Sequence, residues 1–102
     1  MSSFTQTKHD ESNDIKKLRK EAGMWLRSLR EKSQLSQRQL ADRVDVEYYT
    51  FISQIEAGRG RVPAERMRDW AAALEMDPRD FAMNLMKYYD PHTYELVFLS
   101  QE

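Results

Sequence analysis

The stretch SQRQLADRVDVEYYTFISQIEAG, Ser36 to Gly58, spells two short helices joined by a tight turn. Ser36 opens the first as a capping box. Its hydroxyl can accept from the Gln39 backbone N–H while Gln39 reaches back to the Ser36 N–H, and Leu35 and Leu40 stand at the two staple positions. Leu40, Ala41 and Val44 share one face at helical spacing, which turns Gln37, Arg38, Asp42 and Arg43 toward solvent. Asp45, Val46 and Glu47 make the turn. The second helix, about Tyr48 to Ala57, is expected to direct Tyr48, Phe51, Ile52 and Ile55 inward and Tyr49, Thr50, Ser53 and Gln54 outward. Gly58 suits the C′ position that ends it.

Upstream, Ile15, Leu18, Ala22, Trp25, Leu26 and Leu29 recur at three- and four-residue steps and predict a first helix from about Asp14 to Lys32. Gly23 sits inside it at a cost of about 1 kcal/mol relative to alanine. Residues 1–13 are polar and without periodicity, and read as a disordered tail. Downstream, a basic loop (Arg59, Gly60, Arg61) leads to Pro63, which suits the first turn of a fourth helix burying Met67, Trp70, Ala71 and Leu74. A fifth helix is expected to start with Asp77 as N-cap and Pro78 at N1, to bury Phe81, Leu85 and Tyr88, and to stop at Asp90 and Pro91. Tyr94 to Leu99 is aromatic and β-branched in composition and reads as a strand.

Three groups of residues, the Leu29-Arg30 pair, the LSQ run from Leu35 to Gln37 with Leu40-Ala41, and the ISxIExG pattern from Ile52 to Gly58, occur in an order that resembles the lambda-repressor-like, Cro/repressor-type (Xre-type) helix-turn-helix family of bacteria and phages. The resemblance covers Gly23 to Phe81. Two positions depart from the family pattern: Asp45 replaces the common turn glycine, with one extra residue between Val46 and Gly58, and Ala57 replaces a frequent phosphate-contacting asparagine. The resemblance implies an all-α, five-helix fold that reads duplex DNA in the major groove. It also implies that Gln37, at the start of the first motif helix, touches a phosphate, and that Arg30 and Glu56 form a structural salt bridge. Tyr49, Thr50, Ser53 and Gln54 become the candidate base readers. A glutamine such as Gln54 can pair bidentately with adenine. Arg38, Arg43, Arg59 and Arg61 are candidate phosphate contacts, with Arg59 and Arg61 favoured because they follow the second motif helix. Ordinary solvent-facing polarity is the plainer explanation for any one of these residues, and the motif match weighs against it for the group.

The formal net charge of −1 conceals an uneven distribution. Residues 15–68 hold 13 Lys or Arg against 7 Asp or Glu, whereas residues 69–102 hold 2 against 7. The basic part coincides with the two-helix motif, as an electrostatic footprint for phosphate requires.

The enzymatic alternatives find little support. There is no cysteine, so thiolate chemistry and cysteine metal sites are excluded. His9 falls in the expected tail and His92 follows Pro91, so neither is placed on a rigid element as a base or ligand. No cofactor or metal is implied. With neither a membrane-length apolar run nor a signal-peptide core, a cytoplasmic location is expected.

The domain boundaries read as a tail over 1–13, a DNA-binding domain over 14–89 and a C-terminal element over 90–102. The expected function is that of a sequence-specific transcriptional regulator, a repressor in the commoner case, binding its operator as a homodimer. RNA polymerase or another protein is a further partner the fold allows. The C-terminal strand, through Tyr94, Leu96, Val97, Phe98 and Leu99 with Tyr88 and Tyr89 nearby, is the expected dimerisation element, since a lone strand leaves backbone groups unpaired. A rival reading is an antitoxin-like module whose acidic C-terminal half holds a partner protein.

Overall fold

The computed structural model describes the backbone of residues 2–99 and the side chains of residues 13–99. Among the described residues six α-helices follow one another: α1 (Ser2–Lys32), α2 (Gln37–Arg43), α3 (Thr50–Glu56), α4 (Met67–Ala73), α5 (Pro78–Tyr89) and α6 (Pro91–Tyr94). A 3₁₀ turn (Ala64–Arg66) precedes α4, and a π-helical turn (Glu95–Leu99) follows α6. Among the described residues no helix is long and apolar enough to cross a membrane.

The long α1 packs against both α3 and α5, while α2 and α4 close the other sides of one core. Trp70, Phe81, Leu26, Leu40, Ile52 and Ile55 are its largest fully enclosed side chains. Trp25 joins α1 to α5 by stacking on Phe81, with ring centroids 5.7 Å apart, and by a tilted contact with Tyr88 at 6.1 Å. These aromatic contacts add to what area burial alone contributes.

Four successive helices end by one device. At the ends of α1, α2, α3 and α4, the residues Gln34, Asp45, Gly58 and Glu75 take positive φ values of 60°, 57°, 82° and 58°. The next N–H in each case reaches back to a carbonyl of the last turn: Leu35 to Arg30, Val46 to Ala41, Arg59 to Gln54 and Met76 to Ala71. This is the Schellman closure, which satisfies otherwise orphaned carbonyls. Only Gly58 carries the residue that signals it. Asp45 does occupy the left-handed position of the turn glycine it replaces.

The helix boundaries expected from sequence hold for α2 and α5 and shift elsewhere. α1 begins at Ser2, so the expected disordered tail, apart from Met1 outside the described residues, continues the helix. The physical reason is that residues 2–22 contain neither Gly nor Pro, and extending a nucleated helix adds one backbone bond per residue. Ile15, expected in the inner stripe, is exposed.

The expected C-terminal strand is not formed. Asp90 breaks the chain with φ −137° and ψ 63°, Pro91 then occupies N1 of α6, and Tyr94 to Leu99 continues as helix. A helix pairs its backbone groups internally, whereas an unpartnered strand leaves them bare. The four-residue step also brings Tyr94 and Phe98 together with ring centroids 5.1 Å apart. Residues 100–102 of the expected element lie outside the described residues. Tyr89, expected as exposed contact area, is buried, and its hydroxyl accepts from the Val62 N–H at 3.2 Å.

Candidate nucleic-acid interface

Ser36 and Gln39 do form the reciprocal cap. The Gln39 N–H donates to Ser36 Oγ at 3.0 Å, and the Ser36 N–H donates to Gln39 Oε1 at 2.8 Å. This fixes the first turn of α2, with Leu35 and Leu40 buried beneath it. Arg38, on the outer side of that turn, sets its guanidinium 4.6 Å above the ring of Tyr49. A cation–π contact thus joins the start of α2 to the residue that precedes α3. Thr50 and Gln54 are exposed, and Ser53 is half-buried. Arg38, Tyr49, Thr50 and Gln54 therefore lie on the outer side of the two-helix unit.

Tyr48 and Phe51 depart from their expected inward orientation, with exposures of 67% and 39%. Helix α3 starts at Thr50, so Tyr48 belongs to the turn, and seven residues present only a narrow inner stripe, filled by Ile52 and Ile55. Two bulky side chains are left over. The signal was in the sequence: YYTFI offers more aromatic and aliphatic surface than so short a helix can bury.

Beneath this face lies a polar network. Arg30 on α1 donates from Nε to Glu56 Oε2 at 2.7 Å and from Nη2 to Glu56 Oε1 at 3.0 Å, a bidentate pair. Its Nη1 also donates to the Leu35 carbonyl at 2.8 Å. Both side chains are nearly sealed from water. The hydrogen bond to Glu56 raises the Arg30 pKa above its already high ordinary value, against the opposing effect of burial. Gln37 joins from α2, donating from Nε2 to Glu56 Oε1 at 3.1 Å. One carboxylate at the end of α3 thereby holds both the end of α1 and the start of α2. The amide of Gln37, expected to meet a phosphate, is also a strut of this network.

The loop after α3 divides its arginines. Arg59 is exposed. Arg61 is turned onto its own chain, with Nη2 3.1 Å from Asp90 Oδ2 and the guanidinium 4.5 Å from the Tyr89 ring centroid. Arg19 approaches the same ring at 5.6 Å. Burial pushes the Tyr89 phenol up, while the Val62 N–H and the two cations pull it the other way. Arg59 thus stands open to solvent, whereas Arg61 belongs to a junction of the loop with α5. Arg43 is exposed on α2.

Two glycines let α1 lie directly on the end of α3. A Cβ on Gly23 would fall onto the Glu56 carbonyl oxygen and 2.9 Å from that of Ile55. One on Gly58, already at positive φ, would lie 2.9 Å from the Lys20 Cα. In the sequence Gly23 registers only as a helix weakness, because a contact between residues so far apart in the chain leaves no local mark.

A family model described as a helix-turn-helix domain matches residues 16–82, which spans the core elements from within α1 to within α5. The chain belongs to the helix-turn-helix family, of the lambda-repressor-like kind that its motifs resemble, a DNA-binding class. No curated protein matches it.

Proposed function

We propose that this chain is a sequence-specific regulator that binds duplex DNA as a homodimer and represses by occupying its operator. The observation that carries the reading is the exposed set Arg38, Tyr49, Thr50 and Gln54, braced by the buried Arg30–Glu56 pair and the half-buried Gln37 that joins it. Gln54 and Thr50 would meet base edges, Ser53 would have a lesser part, and Arg38 and Arg59 would meet phosphates. Tyr48 and Phe51 would supply apolar contact to sugars or a thymine methyl. Selection of bound sequences from a random duplex library, followed by titration of variants, tests this. Gln54→Ala should lower discrimination at one or two base positions by about 1–3 kcal/mol with the fold intact. An unchanged ranking of sites would remove Gln54 from the readers.

Dimerisation is supported by the C-terminal helical segment, where Leu96, Val97 and Leu99 are 73%, 61% and 59% exposed. Apolar side chains so uncovered on one short element favour burial against a second copy, helix to helix across a twofold axis. Neither α6 nor the turn after it holds a buried core residue, so the domain should keep its core without them. Deleting residues 92–102 is expected to give a folded monomer with much weaker operator binding, because one unit reads only a half-site. Sedimentation of that truncation as an undiminished dimer would refute this role. The same uncovered row supports the antitoxin-like alternative, which full-length chain sedimenting as a monomer would favour.

A further inference from the structure

We infer that the N-terminal half of α1 carries a second, sequence-independent phosphate-binding surface, in which Lys16 and Lys20 grip the duplex backbone beside the segment read by α3. The inference rests on the DNA-binding reading and extends its footprint to a part of the chain that the motif residues do not include. Its starting point is the close approach of α1 to the end of the recognition unit. Gly23 faces the Glu56 and Ile55 carbonyls, and one turn earlier the backbone and Cγ of Lys20 pack on Gly58. Gly58 opens the loop that bears Arg59, where a duplex docked on α3 should pass its backbone.

Steps of four and three residues put Lys16, Lys20 and Gly23 on one side of α1. Lys16 stands about 6 Å further along the axis than Lys20. The row therefore starts at the end of α3, passes the Arg59 loop and continues beyond it. Lys16 and Lys20 are exposed, and neither takes part in an ion pair among the described residues. Asp14 and Glu21 lie about 160° and 140° around the helix from Lys16, and about 120° and 100° from Lys20. Asp14 indeed lines a groove between α1 and the α5–α6 junction, with Leu18 and Arg19. Lys17 and Arg19 lie on the flanking faces, but the strip that carries Lys16 and Lys20 holds no acidic residue of α1, which fits a polyanion running along it. Continuity with Arg59 selects the duplex that α3 reads over an unrelated acidic partner.

The test compares the salt dependence of duplex binding by the full chain and its variants. Each neutralised phosphate contributes about 0.9 to the slope of log affinity against log salt. Lys16→Ala with Lys20→Ala should lower that slope by about 1.8 on selected and random duplexes alike, leaving the ranking of sites unchanged. Arg59→Ala should lower it by about 0.9, and Lys87→Ala on α5 should leave it unaltered. Replacing both lysines with arginine should preserve the slope, which separates charge from any packing of the lysine stems on Gly58. A wild-type chain that binds duplex with a steep slope, together with a double alanine variant of equal slope, would overturn the inference while sparing the DNA-binding reading. Failure of the wild-type chain to bind duplex at all would overturn both.

Discussion

Gly23→Ala should destabilise the chain by about 2 kcal/mol or more, although alanine is the better helix former. Helix propensity alone forecasts the opposite sign, a gain of about 1 kcal/mol. The added methyl, however, would fall onto the Glu56 carbonyl oxygen, 2.6 Å from its carbon and 2.9 Å from the Ile55 oxygen. These are backbone atoms, so no rotamer change can relieve the overlap, and α1 must lift from α3 or tilt. Insertion of a methyl into a packed core typically costs about 1–3 kcal/mol, and rigid backbone neighbours put this site at the upper end. Urea denaturation decides between the two forecasts: the midpoint should fall sharply at nearly constant m value. A raised midpoint would show that the α1–α3 approach has slack.

The contrast shows which parts of this fold were legible in the sequence. The cap at Ser36, the staple pair Leu35 and Leu40, the inner residues Ile52 and Ile55, and the start at Asp77 and Pro78 are written in neighbouring residues, and each is found in place. Arg30 and Glu56 were legible only through family resemblance, since nothing local links residues on α1 and α3. The close approach at Gly23 depends on the same pair of elements and had no such help. Helix ends at Gln34 and Glu75 lacked the glycine that usually announces them. The error at Tyr94–Leu99 has another cause. Aromatic and β-branched composition measures fitness for a pleated, paired surface, and with no partner strand among the described residues the backbone satisfied itself as helix. Around Tyr48 and Phe51 the apolar side chains outnumber the positions that so short a helix can bury, so apolar character there does not mean burial.

Glu56→Ala is expected to have the largest effect on stability, because three donors converge on that carboxylate from two elements: Arg30 Nε, Arg30 Nη2 and Gln37 Nε2. Its removal leaves a guanidinium, with 10% side-chain exposure, facing only the Leu35 carbonyl. Breaking a buried pair from one side costs about 3–5 kcal/mol, whereas replacing both partners with apolar groups is often neutral. The double variant Arg30→Met with Glu56→Leu should therefore recover much of the loss in chemical denaturation. DNA affinity should not recover with it. Gln37 would still lack its acceptor, so the start of α2, with Arg38 above Tyr49, would no longer be fixed against the end of α3. A refolded core with weakened binding is the signature of a network that positions the reading face as well as stabilising the fold. Full recovery of affinity in the double variant would reduce the pair to packing, and a single variant within about 1 kcal/mol of wild type would contradict the cost assigned to a buried unpaired charge.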